Sequence, residues 1–219
     1  MRYSIVEDDA TSESSLQFKI TSDSGIVTLA RPLDREQIDH YNLTIEASDQ
    51  GTPQLRTKTY LYVKVLDVND NPPEFVSKVY HALVPELSPV DTTVVKVMAT
   101  SKDVGVNAEI SYSIVSGNGH KKFAIDSKTG VLSICEPLDY EICKSYFLTI
   151  EAVDGGDPPV SNQATINISV TDGNDNAPIF NQPSYSVHIR EDSQIGGKIL
   201  QVSLERSSFK FRFFFLMRQ

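Results

Sequence analysis

Tyr41-Asn42-Leu43-Thr44-Ile45-Glu46-Ala47-Ser48-Asp49 returns 105 positions later as Tyr146-Phe147-Leu148-Thr149-Ile150-Glu151-Ala152-Val153-Asp154. The same offset carries Leu33-Asp34-Arg35-Glu36 onto Leu138-Asp139-Tyr140-Glu141, and Asp67-Val68-Asn69-Asp70-Asn71 onto Asp172-Gly173-Asn174-Asp175-Asn176. It also relates Phe18 to Phe123, Gly25 to Gly130, Tyr80 to Tyr185 and Glu86 to Glu191. A constant offset across so many pairs marks a tandem array, in which each copy is one structural unit.

Within a copy the pattern is that of strands. Thr59-Tyr60-Leu61-Tyr62-Val63-Lys64-Val65 and Ala164-Thr165-Ile166-Asn167-Ile168-Ser169-Val170 alternate or nearly alternate, and are rich in β-branched and aromatic residues. Turn signals interrupt them at Asp23-Ser24-Gly25, Gly117-Asn118-Gly119, Lys128-Thr129-Gly130 and Gly155-Gly156-Asp157-Pro158-Pro159. No long stretch carries a 3.6-residue period. About seven short strands per ~100 residues predicts an all-β chain of tandem Greek-key, seven-stranded β-sandwiches. The modules are expected at 1–73, lacking its first strands, at 74–178, complete, and at 179–203, the start of a third. Residues 204–219 match nothing earlier.

The composition narrows the function. The 219 residues carry a formal net charge of −9, which argues against a nucleic-acid partner and points to cations or basic partners. No run approaches the roughly 18 apolar residues that span a bilayer, and the first residues show no signal-peptide core. From these features we expect a chain with no targeting signal or anchor of its own.

The acidic residues recur at fixed places. Asp67-Val68-Asn69-Asp70-Asn71-Pro72-Pro73 follows the last strand of one module and precedes the next, and Asp172-Gly173-Asn174-Asp175-Asn176-Ala177-Pro178 repeats it. Asp, Asn and Pro are ordinary turn residues, so each could be a solvated turn. Repetition in register, each time with Leu-Asp-x-Glu upstream, favours convergent carboxylates joined by a cation. Oxygen-only ligands favour calcium over zinc or copper. An EF-hand fails, because Pro72 and Ala177 stand where its loop needs Gly, and Lys78 and Pro183 where it needs Glu. Such a site must be assembled from distant segments. Paired carboxylates of a glycosidase, Asp139 with Glu141, are the catalytic alternative. A constant offset argues against it, since an active site rarely occurs twice while a linker site must. No phosphate loop, Gly-x-Ser-x-Gly or His-Glu-x-x-His is present, so neither catalytic residues nor a small-molecule substrate are expected.

Leu-Asp-Arg-Glu, Ala-x-Asp-x-Gly, Asp-x-Asn-Asp-Asn-x-Pro and the period of 105 together resemble cadherin repeats over residues 3–203. The wording is similar to large atypical cadherins of the Fat type and to protocadherins. The resemblance implies three calcium ions at each junction between repeats. At the first junction it assigns Asp34, Glu36, Asp67, the Val68 carbonyl, Asn69, Asp70, Asn71, Asp103, the Asn107 carbonyl and Asp154. Ser101 replaces a family Asp there, and the upstream glutamate is missing with its strand, which implies weaker binding. At the second junction it assigns Glu86, Asp139, Glu141, Asp172, the Gly173 carbonyl, Asn174, Asp175 and Asn176, with nothing from a third module. Asp49 and Glu191 match ligands of outer junctions.

The resemblance further implies calcium-stiffened rods serving cell–cell adhesion, expected to be homophilic, with other cadherin ectodomains as partners. The parent protein would lie at the plasma membrane, on its extracellular side, with membrane contact only through that parent. The alternative is a truncated soluble isoform without adhesive activity, a decoy for a cadherin partner. In an extracellular setting Cys135 and Cys143 are expected to form a disulfide, two unpaired thiols being the other reading. Asn42-Leu43-Thr44 and Asn167-Ile168-Ser169 are glycosylation sequons. The segment 209–215 holds five of the ten Phe residues. It reads either as a basic-aromatic membrane-surface segment or as unrelated sequence that replaces the third module.

Overall fold

The computed structural model describes residues 1–6 and 14–206. The chain divides into two compact units, one comprising Met1–Pro73, Thr100–Ile110 and Val153–Ser161, the other Glu74–Ala99, Ser111–Ala152 and the chain from Asn162 onward. Two segments that the sequence reading assigns to the second module, Thr100–Ile110 and Val153–Ser161, therefore belong to the first unit.

The elements in chain order are β1 (Arg2–Val6), α1 (Ser14–Gln17), β2 (Phe18–Ile20), β3 (Val27–Leu29), β4 (His40–Ser48), β5 (Arg56–Lys64), β6 (Glu74–Phe75) and β7 (Val79–Pro85). They continue with β8 (Thr93–Lys96), β9 (Ala99–Thr100), a 3-10 turn (Gly105–Ala108), β10 (Ser111–Ser116), β11 (Phe123–Ile125) and β12 (Val131–Ile134). The last are β13 (Ser145–Val153), β14 (Ser161–Thr171), β15 (Pro178–Phe180) and β16 (Leu204–Arg206).

In the first unit β1, β4 and β5 form a sheet in that order, and β2 pairs with β3. Both β4 pairings are antiparallel, with Ile5 opposite Ile45 and Leu43 opposite Leu61. Alternation along β4 buries Tyr41 and Leu43, which join Phe18 as the core, with Ile5, Val27, Leu33, Ile38, Leu61, Val63 and Val65 packed around them.

In the second unit a four-stranded sheet, β10-β13-β14-β7, and a three-stranded one, β11-β12-β8, supply the seven strands expected of a complete sandwich. β7 runs parallel to β14, with Val84 opposite Val170. Period-2 alternation along β13 buries Tyr146, Leu148, Ile150 and Ala152, and along β14 buries Ala164, Ile166, Ile168 and Val170. Phe123 meets Tyr146 edge to face at 5.0 Å, as Phe18 meets Tyr41 at 5.1 Å. The 105-residue offset is thus visible in the packing itself. Gly117 shows why that turn needs glycine: its φ is +86°, and a Cβ there would lie 1.8 Å from the Phe147 carbonyl oxygen.

Two sequence expectations change. Cys135 and Cys143 are both free, so the expected disulfide is corrected. Each thiol has its own partner: Cys135 Sγ donates to the Lys121 carbonyl, 14 residues upstream, at 2.7 Å, and Cys143 Sγ to the nearby Ser145 carbonyl at 3.1 Å. At the other end, Leu204–Arg206 pairs antiparallel with Pro178–Phe180, so the first residues of the 204–219 tail take part in a sheet. The remainder of that tail, with its Phe cluster, lies outside the described residues. Among the described residues no helix is long and apolar enough to cross a membrane.

Leu148 is fully buried in the second unit. Leu148→Ala should cost about 3 kcal/mol of stability, read from denaturant unfolding. A loss under about 1 kcal/mol would contradict the assigned core.

Candidate metal centres

Both Leu-Asp-x-Glu motifs fold into the same tight turn. The Asp34 carboxylate accepts the Gln37 N–H at 3.1 Å and the Gln37 side-chain amide at 2.6 Å, while its carbonyl accepts the Ile38 N–H. The Asp139 carboxylate accepts the Ile142 N–H at 3.0 Å, and its carbonyl accepts the Cys143 N–H. These two aspartates cap their turns, and the glutamate two residues later is left to project. The Asp-x-Asn-Asp-Asn segments repeat a second device. The Asp70 N–H donates to the Val68 carbonyl at 2.9 Å, and the Asp175 N–H to the Gly173 carbonyl at 3.0 Å. Each carbonyl keeps a second lone pair for another partner.

The first cluster lies wholly within the first unit. Carboxylate oxygens of Glu36, Asp67 and Asp103 all fall within 4.8 Å of one another. Asp103, only 4% exposed, accepts the Asn71 N–H at 3.3 Å and its side-chain amide at 2.8 Å. Asp67 accepts the Val104 N–H at 3.1 Å and the Asn107 amide at 2.9 Å. Asn107 thus engages Asp67 through its side-chain amide. Asp70 stands beside the group and accepts the Asn71 amide at 2.6 Å. Ser101, in the place of a carboxylate, donates to the Asn71 carbonyl and accepts the Asp103 N–H.

Asp154, 5% exposed, accepts three donors on one oxygen: the Asn69 amide, the Gly156 N–H and the Val160 N–H. Its other oxygen and Asn69 Oδ1 are buried without a hydrogen-bond partner among the described residues. Unsatisfied buried acceptors are costly, and a cation is one group that satisfies them. Gly156 permits this arrangement, since a Cβ there would lie 2.1 Å from the Asn69 side-chain nitrogen.

The second cluster lies wholly within the second unit. Oxygens of Glu86, Glu141 and Asp175 fall within 4.8 Å of one another. Glu86, 4% exposed, is held by the Tyr140 N–H at 2.7 Å and the Gly173 N–H at 2.5 Å. The Asn176 amide bridges Glu141 and Asp175, donating at 2.7 Å to each. Asp172 and Asn174 are exposed and stand outside the carboxylate group.

Charge balance separates the two clusters. Partial burial raises the Glu141 carboxyl above its ordinary value, and the fields of Glu86, Asp175 and Asp139 raise it further. Burial also works against the charge on Asp67, yet the Val104 N–H, Asn107 and Arg35 outweigh it and hold Asp67 below the usual carboxylate range. Arg35 received no role from the sequence. Its guanidinium lies 2.5 Å from Glu36 Oε1 and 2.5 Å from Asp67 Oδ1, and donates to the Lys102 carbonyl at 2.6 Å. The signal available was a lone basic residue inside an acidic motif whose second copy carries Tyr140 instead.

Carboxylate, carboxamide and carbonyl oxygens make up both donor sets, with neither His nor Cys. That chemistry suits a hard divalent cation such as calcium.

Comparison with known proteins bears on the identity of these sites. A family model described as "Cadherin domain" matches residues 1–66 and 80–171. The chain is 50% identical over 185 residues to the Fat-like cadherin-related tumor suppressor homolog of Drosophila melanogaster, covering 84% of this chain and 4% of that protein. It is 50% identical over 187 residues to human Protocadherin Fat 1, covering 85% of this chain and 4% of that protein. Among solved structures, mouse Cadherin-23 EC22-24 superposes with a TM-score of 0.79 at 30% identity, covering 94% of this chain and 64% of that one. Mouse Protocadherin-24 EC1-3 gives 0.79 at 28% identity, covering 93% and 65%.

With divalent cations chelated, a Glu141 carboxyl whose folded pKa is raised costs stability as pH climbs from the ordinary glutamate value through the raised one. Glu141→Gln removes that charge and keeps an acceptor for Asn176. It should raise the melting temperature in chelator at neutral pH, measured by calorimetry. A lowered melting temperature would show that the crowding carries no cost.

Proposed function

This chain belongs to the cadherin family, and from that membership we propose that it is a stretch of adhesion ectodomain whose two carboxylate clusters bind calcium. The family's domains are adhesion modules rather than enzymes. The chain spans about 4% of the length of the Fat-type relatives it matches.

The observation that carries the reading is the pair of carboxylate triads, with oxygens within 4.8 Å, each taking one member from a Leu-Asp-x-Glu motif, one from an Asp-x-Asn-Asp-Asn motif and one, Asp103 or Glu86, from another segment. At the first, Glu36, Asp67 and Asp103 would hold the ion, with Asp34, Asp70, Asp154, Asn69, Asn71, Asn107 and the Val68 carbonyl around them. At the second, Glu86, Glu141 and Asp175 would hold it, with Asp139, Asp172, Asn174, Asn176 and the Gly173 carbonyl around them. Calcium supplies positive charge that offsets mutual repulsion and joins segments distant in sequence. The chain's own part is to hold the oxygens ready. Backbone N–H groups of Tyr140 and Gly173 fix Glu86, and Asn71 and Asn176 orient their neighbouring carboxylates.

We further read the segments 1–73, 74–178 and 179–203 as successive repeats stiffened by calcium into a rod, meeting other cadherin ectodomains outside the cell, homophilically in the first instance. Extracellular modules of this kind bind at about 10⁻⁴–10⁻³ M, so the ions are standing structural parts outside a cell rather than signals. Asn42 is exposed on β4, which supports its sequon as a glycan acceptor, whereas Asn167 is half-buried on β14.

Calorimetric titration of the whole chain should give saturable calcium binding in that range and a melting temperature that rises with calcium. Asp103→Asn should remove the first component and Asp175→Asn the second. Beads coated with the chain should aggregate in calcium and disperse in chelator if contacts are homophilic. A flat titration with an unchanged cooperative melt would overturn the calcium reading.

A further inference from the structure

The first cluster contains a cation of its own. Arg35 reaches Glu36 and Asp67, two members of the carboxylate triad, at 2.5 Å each, and anchors on the Lys102 carbonyl at 2.6 Å. The side chains of all three charged partners are largely shielded, with 14% exposure for Arg35, 21% for Glu36 and 13% for Asp67. The pairing is close but imperfect. Arg35 Nε and Asp67 Oδ1 lie at ion-pair distance without the alignment of a hydrogen bond, and both are buried without another partner among the described residues. A contact of this kind holds by charge rather than by fit, and a better-matched cation can displace it.

The second cluster has the same turn and the same crowding of carboxylates, but Tyr140 occupies the corresponding position. Its contribution is a backbone N–H to Glu86, and among the described residues no side-chain cation pairs with the triad. An exit for Arg35 is also present. An open hollow beside it is lined by Glu36, Gln37, Asp39 and Lys102. Asp39 there is an exposed carboxylate that meets the His40 ring at 2.5 Å through one oxygen, and a displaced guanidinium could settle on the other.

We propose that Arg35 is a tethered counter-cation of the first cluster, that it must leave when a divalent cation binds there, and that the first cluster therefore fills at a higher calcium concentration than the second. The inference rests on the reading of both clusters as calcium sites. Its consequence is a graded response: as calcium rises, the second cluster loads first, while Arg35 holds the first cluster's carboxylates together until calcium replaces it.

The test uses the whole chain with Asp175→Asn, which silences the second cluster so that only the first reports. Arg35→Gln removes the charge, and Arg35→Tyr installs the residue of the second repeat. Each should lower the calcium Kd of the first cluster by about tenfold, the size expected from removing one nearby positive charge at an intermediate dielectric. Each should also lower the melting temperature in chelator, because the triad loses its internal cation. If one variant fails to melt cooperatively in either condition, the other carries the test. Unchanged or weaker calcium binding in the folded variant, with the second cluster of the unsubstituted chain still saturating, overturns the role of Arg35 and leaves the calcium reading standing. No saturable binding by the unsubstituted chain overturns both.

Discussion

Three carboxylates whose oxygens lie within 4.8 Å of one another repel strongly unless something positive is shared among them. Among the described residues each compact unit contains one such group, and local structure around it is organised to bear the charge. In the second unit, two backbone N–H groups converge on Glu86 and one amide bridges Glu141 and Asp175. In the first, Arg35 supplies a full positive charge while Asn71, Val104 and Asn107 supply donors. The crowding is no accident of one loop. Two turns that both occur twice, the capped Leu-Asp-x-Glu turn and the short turn within Asp-x-Asn-Asp-Asn, bring in two members of each group, and Asp103 and Glu86 complete the groups from other segments. The sandwich keeps the strands that carry these turns in register, so the core serves the clusters.

Much of this was legible before any coordinates. The constant offset announced repeated modules, and alternation in Ala164–Val170 announced a half-buried strand, which β14 is. The offset also related Phe18 to Phe123, and these residues occupy the same edge-to-face pair in each unit. The motifs dictate backbone turns, and the turns bring Glu36 and Asp67 to one carboxylate group and Glu141 and Asp175 to the other.

What was not legible depended on spatial choice rather than on pattern. The disulfide expected between Cys135 and Cys143 rested on nearness in sequence, but the two thiols face different carbonyls, those of Lys121 and Ser145. That Asp34 and Asp139 also cap their turns depends on backbone geometry that the motif does not spell out. Leu204–Arg206 departs from the repeat in sequence and still pairs as a strand, because an edge accepts backbone partners with little regard to side chain. Arg35 was hidden for a different reason. A basic residue beside two acids looks like surface charge balance, and only its distances to Glu36 and Asp67 reveal that it enters the cluster.

The central claim is that the triads are places for a hard cation, and crystals of the chain grown in millimolar calcium test it most directly. The account predicts an ion at each triad, ligated by oxygens at about 2.3–2.6 Å. Glu86, Glu141 and Asp175 would ligate the second ion, with Arg35 turned away from the first. Carboxylates that keep only their Tyr140, Gly173 and Asn176 donors, with no ion between them at that concentration, would contradict it.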